Sequence, residues 1–200
     1  MGVDCYDPSM NPLQQLWLIR HGQTAWSKSG QHTGRTDIPL LPESEPVLKA
    51  LVPHIQQHRF ELVLSSPLRR AIQTATLVGF KSFERDDNLM EWNYGLYDGK
   101  TKDDIQMIVP GWSIWTHGVP QGETLEEVAA RARHVIERAQ TVSGDVALIA
   151  HGHLLRILAS CWLGVDPSHA EHLALSPGSV SILGYENDYP VLTQWNWRPD

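Results

Sequence analysis

The sequence predicts one α/β domain, a three-layer sandwich around a mostly parallel central sheet. Two observations predict it. Short apolar runs alternate with helical patterns, and parallel strands need helical crossovers of that kind between them. Three of the runs end abruptly in polar chemistry, at the position where open α/β sheets place their ligands. The 200 residues suffice for one filled core, and composition marks no second unit.

In chain order, residues 1–14 read as a flexible N-terminal arm, since Pro8 and Pro12 interrupt either regular structure, and the domain is expected over 15–200. The start has neither a basic n-region nor an apolar h-region, so no secretory signal is read there. A strand over 16–19 runs into Arg20-His21-Gly22, and one over 62–64 into Ser65-Ser66-Pro67. Between them a helix is expected from Pro46 to about His58, with proline at its first position. The next helix is expected over 67–77, with Leu68, Ile72, Ala75 and Thr76 at helical spacing and Gly79 as its stop. The clearest helix covers 125–141. Thr124 can cap it with Glu127 three residues on, and Val128, Ala132, Val135 and Ala139 form its inner stripe. A third strand, 146–150, runs into His151-Gly152, followed by a helix over 154–163 that ends at Gly164. The tail reads as a hairpin, 180–185 and 191–197, turning at Asn187-Asp188.

A net charge of −7 argues against nucleic acid or an anionic membrane as partner, and no apolar run approaches the roughly 20 residues that cross a bilayer. It leaves room for a small anion, which local arginines and backbone amides can hold. Two distant cysteines, Cys5 and Cys161, suit a reducing compartment, hence a cytoplasmic location. A homo-oligomer is compatible with this composition.

Four units carry candidate chemistry. His21, between a guanidinium fork and a glycine that admits close backbone approach, suits a nucleophile, a metal ligand or a structural role. In Ser65-Ser66-Pro67-Leu68-Arg69-Arg70-Ala71 a helix start offers free amides, and helical geometry cannot aim both arginines at one spot. Glu91 lies between Met90 and Trp92, where desolvation would suit a general acid. Ala150-His151-Gly152-His153 repeats the strand-end His-Gly pattern, so two imidazoles can meet at one sheet rim. The strong zinc patterns are absent and arginines beside the histidines would repel a cation, so no metal and no cofactor are expected.

Together these units resemble the histidine phosphatase superfamily in its phosphoglycerate-mutase-like branch. The motifs Arg20–Ser27, 33–40, 65–71, 89–95, 120–124 and 150–156 stand in that family's order, and the stretches at 26–34 and 112–118 look most like its small phosphatases of the sedoheptulose bisphosphatase and acid phosphatase type. The resemblance implies a phosphomonoester hydrolase for small phosphorylated metabolites, sugar phosphates or bisphosphates. It implies His21 as nucleophile, Arg20, Arg70 and His151 as holders of the phosphoryl group, and Glu91 as proton donor. It further implies substrate contacts from Gln23, Thr24, Ser27, Thr33, Gly34, Tyr94, Gly152 and His153. The related mutases carry extra basic residues after the acid motif. Here 103–123 holds no Lys or Arg, which favours water as the phosphoryl acceptor. A non-catalytic binding module on the same fold is the alternative from another class. Arg156 reads as a surface or helix-packing residue, Trp112 and Trp115 as a packed helix face. Specificity is expected from 99–121 together with Lys28, His32 and His153.

Overall fold

The computed structural model describes residues 14–199. Strand β1, Leu16–Arg20, is apolar at both alternating sets of positions and is buried on both faces. Leu16 and Leu18 enter one core cluster, Trp17 and Ile19 the other. β4, Asp145–Ala150, divides in the same way: Val146, Leu148 and Ala150 face one layer, Ala147 and Ile149 the other. Strands apolar on both faces need cover on both, and the helices supply it. On one side lie α7, Leu125–Ala139, and α8, Gly152–Trp162. On the other lie α2, Ser44–Ala50, α3, Val52–Gln56, and α4, Arg69–Leu77. Three short helices lie in connections: α1, Ala25–Ser29, before α2, and α5, Lys102–Gln106, and α6, Ile114–His117, between α4 and α7.

The sheet also contains β2, Phe60–Ser65, β3, Glu84–Arg85, and the hairpin β5, Val180–Glu186, with β6, Tyr189–Trp197. Its order is β3-β2-β4-β1-β5-β6. β1, β2, β3 and β4 pair in parallel, and β5 runs antiparallel to both its neighbours. The expected mostly parallel three-layer sandwich is the fold observed. The hairpin turns at Asn187 (φ 48°) and Asp188 (φ 68°), the pair of left-handed residues that a two-residue turn between twisted strands favours.

The Thr124/Glu127 capping box opens α7 as the sequence indicates, and Val128, Ala132, Val135 and Ala139 are buried. Other boundaries move. The helix expected from Pro46 to His58 is two helices that meet at Leu51, because Pro53 has no N–H to give the carbonyl four residues back. α4 begins at Arg69, two residues after Pro67, with extended Leu68 as its N-cap. The arm expected at 1–14 lies outside the described residues except for Gln14. That residue is buried, and its amide donates to the carbonyls of Ala139, Val142 and Gly144, so the ordered domain already includes it.

Candidate active site

Parallel pairing sets the site. Arg20 is in register with Ala150 and Ser65 with Ile149, so the residues that follow, His21, Ser66 and His151, emerge together on the carboxyl rim of the sheet. The N–H groups of His21 and Ser66 donate to the carbonyls of Ala150 and Ile149 just beyond the ladder (3.0 and 2.9 Å). The two imidazoles meet edge to face, with centroids 5.1 Å apart and planes at 60°.

Nδ1 of His21 lies 2.7 Å from the carbonyl oxygen of Gly22. A carbonyl only accepts, so Nδ1 carries the hydrogen, and Nε2 of the neutral ring carries the lone pair. Burial holds the His21 pKa well below its ordinary value, and the charges of Arg70 and Arg20 add to this against the opposing Gly22 bond. His151 is fully buried, and its pKa is also held well below the ordinary range by burial, then by Arg70, His21 and Arg20. Its Nδ1 accepts Nε–H of Arg70 at 3.1 Å, which leaves Nε2–H to donate to Ser66 Oγ at 2.7 Å.

Of the paired arginines, Arg70 is buried and Arg69 exposed. Besides His151, Arg70 donates to the carbonyls of Thr36, Thr33 and Gly34 (3.0, 3.2 and 2.9 Å). The free helix-start amides expected here are occupied: Leu68 N–H donates to Ser66 Oγ and Arg69 N–H to Asp37 Oδ1. Arg20 donates through Nη1 to the carbonyl of Leu175, and its buried Nε–H has no partner among the described residues. Glu91 is buried in the loop 88–93. Its Oε1 accepts N–H of Trp92 and Leu154, its Oε2 N–H of His153 (2.9, 3.0 and 3.0 Å). The Glu91 carboxylate thereby caps α8, whose own N-cap, His151, makes no side-chain cap.

A cleft of about 260 Å³ opens over these groups. Arg20, His21 and Glu91 line it, while Arg70 and His151 lie beneath. Among the expected substrate contacts, Ser27, Thr33, Tyr94, Gly152 and His153 line the cleft. Gln23, Thr24 and Gly34 do not. Thr24 is fully buried as the N-cap of α1, Gly34 gives its backbone to Arg70 and Asp98, and Gln23 lines a separate hollow beside Glu43 and Arg198. Lys28 is exposed and paired with Glu43. Nor does 99–121 reach the cleft; its Trp112 is buried against His32 and Tyr97.

Arg156 packs against its neighbours, as the sequence reading has it, and also lines the cleft. It lines the cleft beside His32, Gln31 and Leu175, its guanidinium 4.8 Å above the Trp115 ring. Its Nε and Nη2 donate to the carbonyls of Ala170 and Glu171, and among the described residues it pairs with no carboxylate. The sequence signal was only its place one turn after His153 on α8, since helical spacing alone does not say which face a distant loop leaves open.

Residues 16–198, which hold the buried histidine and its two guanidinium neighbours, match a family model, that of the histidine phosphatase superfamily (branch 1). The chain belongs to the histidine phosphatase superfamily, branch 1. It is an enzyme of the phosphatase type within that family. The relatives of this histidine phosphatase include an acid phosphatase of Mycobacterium tuberculosis, 34% identical over 177 residues (86% of this chain, 87% of the relative). A sedoheptulose 1,7-bisphosphatase of Saccharomyces cerevisiae is also 34% identical, over 191 residues (79% and 70%). A solved structure of an open reading frame product of Mycobacterium tuberculosis superposes with TM-score 0.89 at 32% identity, covering 92% of this chain and 98% of that one.

Proposed function

We propose that this histidine phosphatase hydrolyses phosphomonoesters of small metabolites, sugar phosphates and bisphosphates, through a phosphohistidine on Nε2 of His21 and without a metal. The observation that carries the reading is the His21 tautomer. The Gly22 carbonyl holds the hydrogen on Nδ1, so the lone pair on Nε2 is free for phosphorus. The Nε–H of Arg20, unpartnered among the described residues, supports a phosphoryl oxygen as its acceptor, with Arg70 adding charge from below and His151 packed between Arg70 and Ser66.

In the first step Nε2 attacks phosphorus and the P–O ester bond breaks. The leaving oxygen takes the electron pair and a proton from Glu91. In the second, the Glu91 carboxylate takes a proton from water, the water oxygen attacks phosphorus, and the N–P bond returns its pair to Nε2. Ser27, Thr33, Tyr94, Gly152 and His153 contact the rest of the substrate, joined by His32 and Arg156. Arg156 supplies a second unpaired cation in the cleft, which supports a substrate with a second anionic group.

Trapping tests the mechanism. With a chelator present, the enzyme forms an acid-labile, base-stable phosphoenzyme that is lost in His21→Ala. Strict dependence on added divalent metal overturns the reading. A panel of sugar phosphates, bisphosphates and 3-phosphoglycerate tests the substrate class; Arg156→Gln raises KM for bisphosphates about tenfold more than for monophosphates. The same cation also favours a second reading, phosphoglycerate-mutase-type transfer, because it can hold a substrate carboxylate. Mutase product exceeding phosphate release in the panel decides for that reading. No helix among the described residues is long and apolar enough to cross a membrane, and the sparse cysteines support a cytoplasmic setting.

A further inference from the structure

The loop 88–93 places Glu91 at the cleft, yet it has little regular structure to hold its own backbone. Its support comes from two residues outside the cleft floor. Arg131, on α7, forms a two-point ion pair with Glu123, Nε to Oε1 at 2.7 Å and Nη2 to Oε2 at 3.0 Å. The remaining nitrogen, Nη1, donates to the carbonyls of Asn88 and Met90 (2.7 and 2.9 Å), the backbone just before Glu91. Glu123 holds the backbone just after it. Its Oε2 accepts N–H of Asn93 at 2.8 Å, its own N–H donates to the Asn93 carbonyl at 3.0 Å, and its carbonyl accepts the Trp92 indole N–H at 2.7 Å.

We infer that Glu123 and Arg131 are positioning residues for Glu91, fixing its carboxylate where a leaving oxygen must be met. The inference rests on Glu91 being the proton donor. Both side chains of the pair are only about one-sixth exposed, 16% and 15%. Burial pushes the Glu123 carboxyl up, but its bonds from Arg131 and Asn93 N–H pull it further down, so it stays ionised beside the guanidinium. The arrangement uses the planar fork of arginine: one edge grips Glu123 while the third nitrogen reaches two carbonyls. A lysine ammonium has the charge but not that geometry. Gly122 belongs to the same clamp, since a Cβ there would collide with the Asn93 carbonyl and with Val119. The Glu91 side chain is meanwhile tied to α8 through His153 and Leu154, so its backbone is held from α7 and its carboxylate from α8. Proton transfer needs its donor within hydrogen-bond reach of the leaving oxygen, and a shift near 1 Å costs up to about 10²-fold.

A merely structural pair would lower activity on every substrate alike, whereas a positioning pair acts only through Glu91. Arg131→Lys, Glu123→Gln and Glu91→Gln are compared on an alkyl phosphate, which needs a protonated leaving group, and on p-nitrophenyl phosphate, which needs it far less. We expect Arg131→Lys and Glu123→Gln to lower the ratio of alkyl to nitrophenyl kcat about tenfold, in the same sense as Glu91→Gln, with KM little moved. In the Glu91→Gln background Arg131→Lys then changes that ratio no further, because its route is already closed. An unchanged ratio in the pair variants beside a changed one in Glu91→Gln overturns the positioning role and leaves the acid role intact. An unchanged ratio in Glu91→Gln itself overturns both.

Discussion

Arg70 donates Nε–H to Nδ1 of His151 at 3.1 Å, and this single bond decides how the second histidine of the rim is protonated. A guanidinium only donates, so Nδ1 is bare and Nε2 carries the hydrogen. Arg70 makes this bond while it also satisfies the carbonyls of Thr33, Gly34 and Thr36. Arg70→Lys retains a charge but cannot reach all four acceptors. We expect kcat to fall about 10²-fold or more, as for loss of one oxyanion donor. The melting temperature should also fall, by the equivalent of about 2 kcal/mol, because buried carbonyls lose their donors. Steady-state kinetics and thermal unfolding of the same preparation check both.

The three histidines of the site, His21, His151 and His153, all have folded pKa values well below the ordinary one, chiefly through burial. Each is neutral in the folded state and takes up a proton more readily when unfolded. Their stabilising contribution is therefore complete above the unfolded value of about 6.5 and is lost as pH falls below it toward the folded values. Denaturant unfolding from pH 8 to pH 5 should show stability declining below about pH 6.5, less steeply in His153→Gln. NMR titration of the imidazole C–H groups checks the origin: His21 remains neutral at a pH where exposed histidines have titrated.

Glu91 both faces the cleft and caps α8, so Glu91→Gln should affect more than chemistry. The amide oxygen can replace one carboxylate oxygen, but its NH₂ cannot accept the remaining backbone N–H. Stability should drop by about 1 kcal/mol, the usual scale of a lost helix cap. Glu91→Asp retains the charge but is one methylene too short to reach His153 and Leu154, and should lose a similar amount. Urea unfolding measures both variants.

Gly152 begins α8 against the Arg20 guanidinium, where an added Cβ would lie 3.1 Å from Cζ and 3.2 Å from Nε. Alanine is the better helix former by about 1 kcal/mol, but it would press on the guanidinium whose Nε–H is unpartnered. Gly152→Ala should leave the melting temperature within a few degrees of the parent, while kcat/KM falls about tenfold through displacement of Arg20. An equal loss of stability and activity would mean that α8 itself had shifted.

Much of this molecule was legible from local rules. The apolar runs that end at Arg20, Ser65 and Ala150 are continuous because those strands are buried on both faces. Such runs with helices between them leave a parallel sheet as the consistent arrangement. The Thr124/Glu127 box and the Asn187-Asp188 turn are signals complete within a few residues, and the structure contains both. The strand-end positions of His21 and His151 already implied a common rim. What the sequence did not carry is what depends on groups brought from far along the chain. Leu68 and Arg69 have their amides filled by Ser66 and Asp37, α8 is capped by a carboxylate 62 residues away from His153, and Gly34 gives its carbonyl to Arg70. That Arg156 lines the cleft as well as packing on Trp115 was not legible, because helical periodicity gives a residue's face but not what lies opposite. Periodicity and capping are fixed by neighbours in sequence; the partners of a buried charge are fixed by which loops the sheet order brings over it, and only the tertiary structure decided that.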